Sequence, residues 1–245
     1  MDLRKLFDVD SGIYAESRPR YPAELYERLV EQVPNREKVW DVGCGNGQAS
    51  VDLSRVFELV EATDVSSSQI EHSFHNERVR YSVQPAEQTD FPDRNFDAVC
   101  VAMALHWFDY DLFWPEVRRV LRDGGLFVAW RYNWPDVSAS VKRKLEDGLY
   151  SVVRPYWSEK NSLLWNRDSD VAFPFSRIES PPLEMSITWS LEAFFSYLQS
   201  WSATRRCIEQ VGREFFDSCY ASVREDWGTD PRVVRMEFFV LAGRK

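Results

Sequence analysis

Residues 39–47 read VWDVGCGNG, a short strand-like run that leads directly into glycines at positions 43, 45 and 47. Glycines at a strand-to-helix turn let the backbone pass close to a ligand, and the start of the next helix offers free N–H groups. The dinucleotide fingerprint GxGxxG would require a third glycine where the chain has Gln48. The stretch therefore predicts a nucleotide-type ligand at the first turn of an α/β sheet. The motif that would bind this ligand is not the dinucleotide fingerprint.

Strand and helix patterns alternate on both sides of this turn. Between apolar stretches with helical spacing, the sequence predicts strands at 38–42, 59–63, 79–83, 96–103 and 126–130. A helix is expected from Asp109 to Leu121, although Pro115 suggests that it begins later or bends. The alternation predicts a Rossmann-like, mostly parallel seven-stranded sheet with helices on both faces.

The regular alternation ends at Trp130, which predicts an inserted or C-terminal cap on the sheet. A helix over 137–152, a strand over 183–189, two helices and a last strand over 235–241 follow. One of the two helices begins near Ser190, and the other runs continuously through Ile208 and Cys219. We divide the chain into an N-terminal lid and helix (1–36), a cofactor-binding core (37–130), a substrate cap (131–232) and a final core strand (233–245).

Composition narrows the class of protein. The chain has 245 residues, 44% of them hydrophobic, which is enough to form a buried core. Its net charge of −9 disfavours binding to nucleic acid or to an anionic membrane surface. The sequence shows no signal peptide and no long apolar run, and its four cysteines are scattered without a CxxC pair. We expect a soluble, cytoplasmic protein with reduced thiols, a monomer or weak homodimer whose partner is a small molecule.

Asp64 ends the second predicted strand, at the edge of the sheet where parallel α/β proteins bind ligands. A carboxylate at this position can accept hydrogen bonds from both hydroxyls of a ribose, whichever nucleoside is bound. Since such a side chain faces a cleft, Asp64→Ala is expected to weaken ligand binding and leave the stability of the ligand-free protein almost unchanged.

Several motifs, in order and spacing, resemble the class I S-adenosylmethionine-dependent methyltransferases. They are DVGCGNG at 41–47, ATDVS at 62–66, AEQTDFPDRNFDAV at 86–99, LHWFD at 105–109 and RVLRDGG at 119–125. The opening YAESRPRYP at 14–22 and the LHWF block are similar to a small-molecule branch, which holds the yeast-type trans-aconitate methyltransferases and the plant embryo-abundant proteins. The resemblance implies that S-adenosylmethionine is the cofactor.

The resemblance also implies cofactor contacts, residue by residue. The methionine end would meet Asp41, Gly43 and Gly45, the ribose Asp64, and the adenine Val65, Ala86 and Glu87, above a floor of Ala102 and Met103. Tyr14 and Arg18 would close over the methionine carboxylate. The segment that carries them is interpreted either as a lid over the cofactor or as a strap packed permanently on the sheet edge. Pro85 stands where many relatives have Asp, so recognition of the adenine amino group would rest on Glu87 or on backbone.

Candidate catalytic residues follow the fourth predicted strand. His106 is interpreted either as a substrate contact or general base, or as an orienting residue that hydrogen-bonds the backbone. Trp107 is interpreted as an aromatic face for the cofactor's sulfonium, or as a core residue under the cap. His72 and His75 lack a third ligand, so no metal site is expected. Arg131, Arg205 and Arg206 could pair with a substrate carboxylate, but each one alone is better interpreted as solvated surface.

The predicted function is in-line transfer of a methyl group from S-adenosylmethionine to a small molecule. A carboxylate acceptor would need no base, whereas a hydroxyl acceptor would need one, and the sequence leaves both open. The main alternative is a non-catalytic S-adenosylmethionine-binding protein or sensor. A nicotinamide-dependent oxidoreductase is disfavoured by the missing GxGxxG. A nucleic-acid or protein methyltransferase is disfavoured by the net charge, and by MALH at 103–106 in place of a Pro-Pro-Tyr or Pro-Cys motif.

Overall fold

A computed structural model describes residues 18–161 and 171–245 of the chain. Its centre is an eight-stranded sheet with the order β3-β2-β1-β4-β5-β8-β6, in which β7 also pairs with β8. The strands are β1 (Lys38–Val42), β2 (Leu59–Asp64), β3 (Val79–Val83), β4 (Phe96–Ala102), β5 (Leu121–Tyr132), β6 (Ser176–Ile178), β7 (Leu183–Trp189) and β8 (Arg232–Arg244).

Helices connect and cover these strands. They are α1 (Ala23–Gln32), α2 (Gln48–Leu53), α3 (Ser67–Glu71), α4 (Tyr110–Val120), α5 (Ala139–Leu145), α6 (Ser151–Val153), α7 (Leu191–Gln199), α8 (Ser202–Val211) and α9 (Glu214–Trp227). A π-helical segment, Glu146–Tyr150, joins α5 to α6, and short 3₁₀ turns span Leu105–Trp107, Arg154–Tyr156 and Glu159–Asn161.

The first five strands pair in parallel, and the last three pair antiparallel with one another or with β5. The prediction of a Rossmann-like, mostly parallel sheet with helices on both faces is confirmed. The strand count of seven is wrong by one, because the three-residue strand β6 pairs with the end of β8. The division into lid, core, cap and final strand stays a prediction.

Successive residues of β1 build the cores on the two faces of the sheet. Val39 packs in a large cluster with α1, α2 and the C-terminal helices, whereas Trp40 packs in a second cluster with α4. Both side chains are fully buried. Because β1 is buried on both faces, its consecutive residues Val39 and Trp40 are both apolar and do not alternate with polar residues. The sheet is thus a rigid platform whose carboxyl edge carries the site.

The structure corrects details of two predicted helices. The helix predicted through Ile208 and Cys219 is two helices, because Gly212 has a φ of +89° and ends α8. The helix predicted from Asp109 to Leu121 is confirmed as α4, which begins at Tyr110 next to its Asp109 cap. Pro115 lies inside this helix, so the alternative of a later start is wrong.

None of the helices in the described ranges combines the length and the apolar character needed to cross a bilayer. All four cysteines are buried free thiols.

Candidate active site

The glycine turn follows β1 and opens at the carboxyl edge of the sheet. Gly43 has a φ of +65°, and a Cβ there would lie 2.8 Å from the Ala104 Cβ, which a side chain cannot tolerate. Gly47 also has a positive φ, but a Cβ there would overlap the hydroxyl of Tyr81 rather than a ligand site. The three glycines therefore have different roles, and only Gly43 and Gly45 line a cavity.

Asp64, at the end of β2, organises this turn. Its Oδ2 accepts a hydrogen bond from the Gly45 N–H at 2.8 Å, and its Oδ1 accepts one from the Ser66 N–H at 2.9 Å. Each carboxylate oxygen has a second lone pair, so the group can still accept hydrogen bonds from ligand hydroxyls. Asp64 thus has a structural role that sequence analysis did not predict, next to its predicted binding role.

Asp41 lies behind the turn, fully buried. Its Oδ2 accepts a hydrogen bond from the Ser50 hydroxyl at 2.5 Å, and its Oδ1 has no partner among the described residues. Burial raises the pKa of this carboxyl from 3.8 to about 7. Asp41 does not line the cavity, so the geometry gives it a supporting position one layer below the predicted methionine contacts.

A first cavity extends from the glycine turn across the ends of β2, β4 and β5. It brings together most of the predicted cofactor residues, which are Arg18, Gly43, Gly45, Asp64, Val65, Ala86, Glu87, Ala102 and Met103. Trp107 also lines it. Tyr14 lies outside the described residues, as does most of the predicted lid.

The described end of the lid segment is held against the sheet. The Gln48 side chain of α2 donates a hydrogen bond to the Pro19 carbonyl at 2.6 Å. Tyr21 packs edge-on against Trp130, with ring centroids 5.5 Å apart. Arg18 Nη1 lies 3.3 Å from the Tyr132 hydroxyl, so its guanidinium projects toward the cavity wall.

The lining of this cavity fits S-adenosylmethionine. The side chain of Asn46 lines it, is 3% exposed, and has an amide nitrogen with no hydrogen-bond partner in the described parts of the chain. A buried donor without a partner indicates a polar ligand. Gly43 lines the cavity with its backbone, and a Cβ there would collide with Ala104 and Phe108. The polar groups of a nucleoside with an amino-acid tail are suited to this lining, which offers the Asn46 amide donor, the Gly43 backbone and the Asp64 carboxylate.

A second cavity adjoins the first, and four residues line both: Arg18, Met103, Trp107 and Tyr132. Its other walls include three tryptophans from distant parts of the sequence. The ring of Trp134 lies 5.8 Å from that of Trp157 and 5.1 Å from that of Trp201. These indoles give the cavity an apolar aromatic wall of the kind that binding sites for small molecules use.

Two cationic side chains, those of Arg18 and Arg205, line the second cavity. Lys160 lies nearby, with its Nζ donating to the Trp107 carbonyl at 2.8 Å. In a chain of net charge −9, this local group of cations favours an anionic ligand.

His106 lies in the 3₁₀ turn after β4, lines the second cavity and is 5% exposed. Its Nε2 is 3.3 Å from the amide nitrogen of Asn161. Its Nδ1 has no partner in the described part of the chain. Burial, with the charges of Lys160 and Arg131, lowers the pKa of the imidazole from 6.5 to about 3. The ring is therefore neutral at physiological pH and a weak base.

The remaining candidates lie apart from both cavities. Arg131 stacks over the Phe239 ring at 4.5 Å, and Arg206 donates to the Ser202 carbonyl at 3.3 Å. His72 is exposed and bonds to the Ser68 carbonyl of its own helix. Across residues 18–161 and 171–245, no cluster of three or more His, Cys, Asp or Glu side chains could hold a metal ion.

Sequence reasoning missed several residues of the two cavities. In the first they are Tyr21, Asn46, Gln48, Gln69, Gln84 and Phe108, and in the second they are Tyr132, Asn133, Trp134, Trp157, Asn161, Tyr197, Trp201 and Ser202. Only Asn46, which lies within the glycine motif, carried a usable signal. The aromatic residues of the second cavity are distant in sequence, and their average density along the chain gave no sign that they meet.

A Rossmann-like sheet with a glycine turn, an acidic residue after β2 and a ligand cavity at its carboxyl edge defines a nucleotide-cofactor protein. Residues 40–129 match the methyltransferase domain family. A solved structure of a candidate type II methyltransferase from Anaeromyxobacter dehalogenans is 36% identical, with a TM-score of 0.84, covering 93% of this chain and 97% of that one.

Two curated relatives agree with this result. A candidate methyltransferase from Dictyostelium discoideum is 28% identical over 212 residues, which is 85% of this chain and 81% of the relative. CRG1 of Saccharomyces cerevisiae, assigned as an S-adenosylmethionine-dependent methyltransferase, is 26% identical, over 80% of this chain and 79% of that protein. The chain belongs to the class I S-adenosylmethionine-dependent methyltransferases and is an enzyme of that class. The narrower likeness to the trans-aconitate branch stays a prediction.

Proposed function

We propose that this methyltransferase binds S-adenosylmethionine in the first cavity and methylates a carboxylate of a small acid held in the second. The observation that carries the proposal is the wall shared by the two cavities, formed by Arg18, Met103, Trp107 and Tyr132. Methyl transfer requires donor and acceptor to meet end to end, and two adjoining cavities provide that arrangement. A non-catalytic sensor would need no second cavity.

On the cofactor side, Asp64 and Val65 would hold the nucleoside, and Gly43 and Asn46 would meet the amino-acid end. When bound, S-adenosylmethionine supplies a methyl group made electrophilic by its sulfonium sulfur. Trp107 lies on the shared wall, where its ring would offer a cation–π contact to that charge, of about 0.5–2 kcal/mol. Arg18 lines both cavities, so it can pair with a carboxylate in either one.

The charged side chains of the second cavity favour an acid as the methyl acceptor. Arg18 and Arg205 line the second cavity. Arginine pairs with carboxylates through two parallel N–H bonds, which fixes their orientation as well as their position. A carboxylate carries no proton that must be removed, whereas a hydroxyl would need a base. His106 is a weak base because its pKa is lowered to about 3, so the site favours a carboxylate.

The tryptophan wall supports the reaction by excluding water. Trp134, Trp157 and Trp201 enclose the acceptor cavity with apolar surface, and an anion that loses its hydration shell is a stronger nucleophile. Holding the acceptor at about 3–3.5 Å from the methyl carbon is the main contribution that such a site can make.

The cofactor part of the proposal is tested by calorimetry. S-adenosylmethionine and S-adenosylhomocysteine should bind, and NAD far more weakly, because the turn lacks the dinucleotide fingerprint. NAD binding as tight as that of S-adenosylhomocysteine would contradict this assignment.

The acceptor part is tested with Arg205→Gln. This variant should raise the KM for the acid by about tenfold or more, the usual effect of losing a hydrogen bond to a charged group, and leave the Kd for S-adenosylhomocysteine unchanged. Arg213→Gln is the matched control, because Arg213 is exposed and pairs with Asp217 away from both cavities. Equal KM values in the two variants would exclude Arg205 from the acceptor site.

The small-molecule partner, the cytoplasmic location, the monomeric or weakly dimeric state and the absence of nucleic-acid, membrane and metal partners stay predictions.

A further inference from the structure

We propose that Asn161 fixes His106 as a neutral ring protonated at Nδ1, and that this N–H donates a hydrogen bond to the acceptor in the second cavity. His106 would then contact the substrate as a donor and not as a general base. Asn161 would be a positioning residue that acts through the histidine. This inference rests on the proposed function for the identity of the acceptor, but the protonation state of the ring can be tested without it.

The first step is the orientation of the Asn161 amide. Asn161 is 2% exposed and lies in the 3₁₀ turn Glu159–Asn161. Its Oδ1 accepts a hydrogen bond from the Ser158 N–H at 3.1 Å. A backbone N–H can only donate, so the oxygen of the amide must face Ser158. The amide nitrogen, which can only donate, therefore faces His106.

The orientation of the Asn161 amide in turn determines which nitrogen of the His106 imidazole carries the proton. Asn161 Nδ2 is 3.3 Å from His106 Nε2, so Nε2 must accept and carries no proton. A neutral imidazole has one proton, and it is thereby placed on Nδ1. The Ser158 N–H thus determines the tautomer of His106 through the Asn161 amide that lies between them. The hydrogen bond made by one ring nitrogen commonly sets the tautomer of a functional histidine.

The third step is the lack of a protein partner for that proton. His106 Nδ1 is buried and makes no hydrogen bond to the described residues. A buried polar group without a partner is destabilising, and such a group calls for a ligand or an ordered water. His106 lines the second cavity, beside Trp107, and also a smaller cavity beside Arg131; the proposal places Nδ1 toward the second cavity. A carboxylate there can accept the hydrogen bond through one oxygen and leave the other to react.

The charges around the ring support this role. Lys160 and Arg131 both act on His106, and burial together with these two cations keeps its pKa near 3. A protonated ring would add a third cation to this surrounding, so the neutral donor is the stable form. The expected consequence is a hydrogen bond that persists across the physiological pH range.

The tautomer is tested by ¹⁵N NMR of the purified full-length protein. The chain has only three histidines, and His72→Gln and His75→Gln assign the other two signals. We expect His106 Nδ1 to resonate as a protonated nitrogen and Nε2 as an unprotonated one, unchanged between about pH 5 and pH 8. Asn161→Asp, whose carboxylate can only accept, should move the proton to Nε2 or protonate the ring. A wild-type signal showing protonated Nε2 would overturn the proposal.

The role in binding is tested by comparing His106→Asn with His106→Gln. The asparagine amide reaches the position of Nδ1, whereas the glutamine amide reaches that of Nε2. We expect kcat/KM for a carboxylate substrate found in an assay with labelled S-adenosylmethionine to be roughly tenfold higher in His106→Asn than in His106→Gln. Equal values, or a more active glutamine variant, would overturn the donor role.

A second comparison separates positioning from folding. Asn161→Asp should lower kcat/KM and make it pH-dependent, while its thermal transition and its affinity for S-adenosylhomocysteine stay close to those of the wild type. A flat pH profile with normal activity in this variant would overturn the role of Asn161. If the wild type transfers no methyl group to any carboxylate, the proposed function fails, and the NMR result still decides the tautomer.

Discussion

Asp64→Ala tests whether the acidic residue after β2 holds both the glycine turn and the ligand. The side chain accepts hydrogen bonds from the N–H groups of Gly45 and Ser66 at 2.8 and 2.9 Å, and Ser66 is fully buried. Leaving a buried donor without an acceptor costs about 1–3 kcal/mol. The Ser66 N–H would incur most of that cost, and the Gly45 N–H, which is closer to solvent, less.

We therefore expect the variant to lose roughly 1.5–3 kcal/mol of stability without ligand. For a chain of this length, that is a fall in Tm of roughly 3–6 °C. The sequence alone predicted almost no change, because the two backbone contacts of Asp64 were not foreseen. Binding of S-adenosylhomocysteine should weaken by at least about tenfold, since the ribose loses its acceptor and the turn is no longer held.

Differential scanning calorimetry measures the first effect, and titration calorimetry measures the second. Glu61→Gln is the matched control, because Glu61 lies on the same strand and pairs with Arg80 away from the cavity. An unchanged Tm would contradict the structural role of Asp64, and an unchanged Kd would exclude it from the binding site. The two outcomes are independent, so the experiment separates the two roles.

Three further predictions follow from the described contacts. Gly43→Ala combines a positive φ with the overlap of a new Cβ on its neighbours, so it should lower the free energy of unfolding by about 2–4 kcal/mol in chemical denaturation. Gly124→Ala, which has open space around the new Cβ, should lower it by only about 1 kcal/mol. Equal losses in the two variants would refute the crowding at Gly43. Burial raises the pKa of Asp41 to about 7, so the folded state retains a proton that the unfolded state releases, and wild-type stability falls as pH rises from about 4 to about 7. Asp41→Asn should remove this loss, and its stability relative to the wild type should be greater at about pH 8 than at about pH 5; a constant difference between the two pH values would argue against the raised pKa. Gln48→Ala removes the hydrogen bond to the Pro19 carbonyl, so amide exchange of residues 20–26 should accelerate, and exchange equal to that of the wild type would show that this contact does not hold the segment.

The parallel half of the sheet could be predicted from sequence because its signals are local. β1 and β3 have the predicted bounds, and β2 and β4 differ by one residue at one end. Strands buried on both faces form continuous apolar runs, and each is followed by a turn or a cap residue such as Ser66. The same locality explains why the glycine turn and Asp64 could be assigned to a cavity before the fold was known.

The cap could not be predicted in detail because its structure depends on contacts between distant residues. A single helix was expected over 137–152, but the chain forms a π-helical segment at Glu146–Tyr150 within it. The break at Gly212 depends on a left-handed backbone, which the apolar pattern does not show. Trp134 and Trp201 meet only when the helices fold over the sheet.

The roles of individual site residues show the same limit. The sequence placed Asp41 among the cofactor contacts, but the fold buries it behind the turn, where Ser50 is its partner. For His106 the sequence left two roles open, that of a general base and that of an orienting residue. The hydrogen bond from Asn161, which lies 55 positions further along the chain, is what distinguishes them.

The most direct test of the account is an assay with methyl-labelled S-adenosylmethionine and a panel of small carboxylic acids, phenols and amines. Label transferred to a carboxylate forms a methyl ester, which mild alkali hydrolyses to volatile methanol, whereas methyl ethers and methylamines survive. We predict alkali-labile label on an acid, reduced in Arg205→Gln and retained in Arg213→Gln. Label found only in alkali-stable products, or equally in both variants, would contradict the assignment of the second cavity to a carboxylate acceptor.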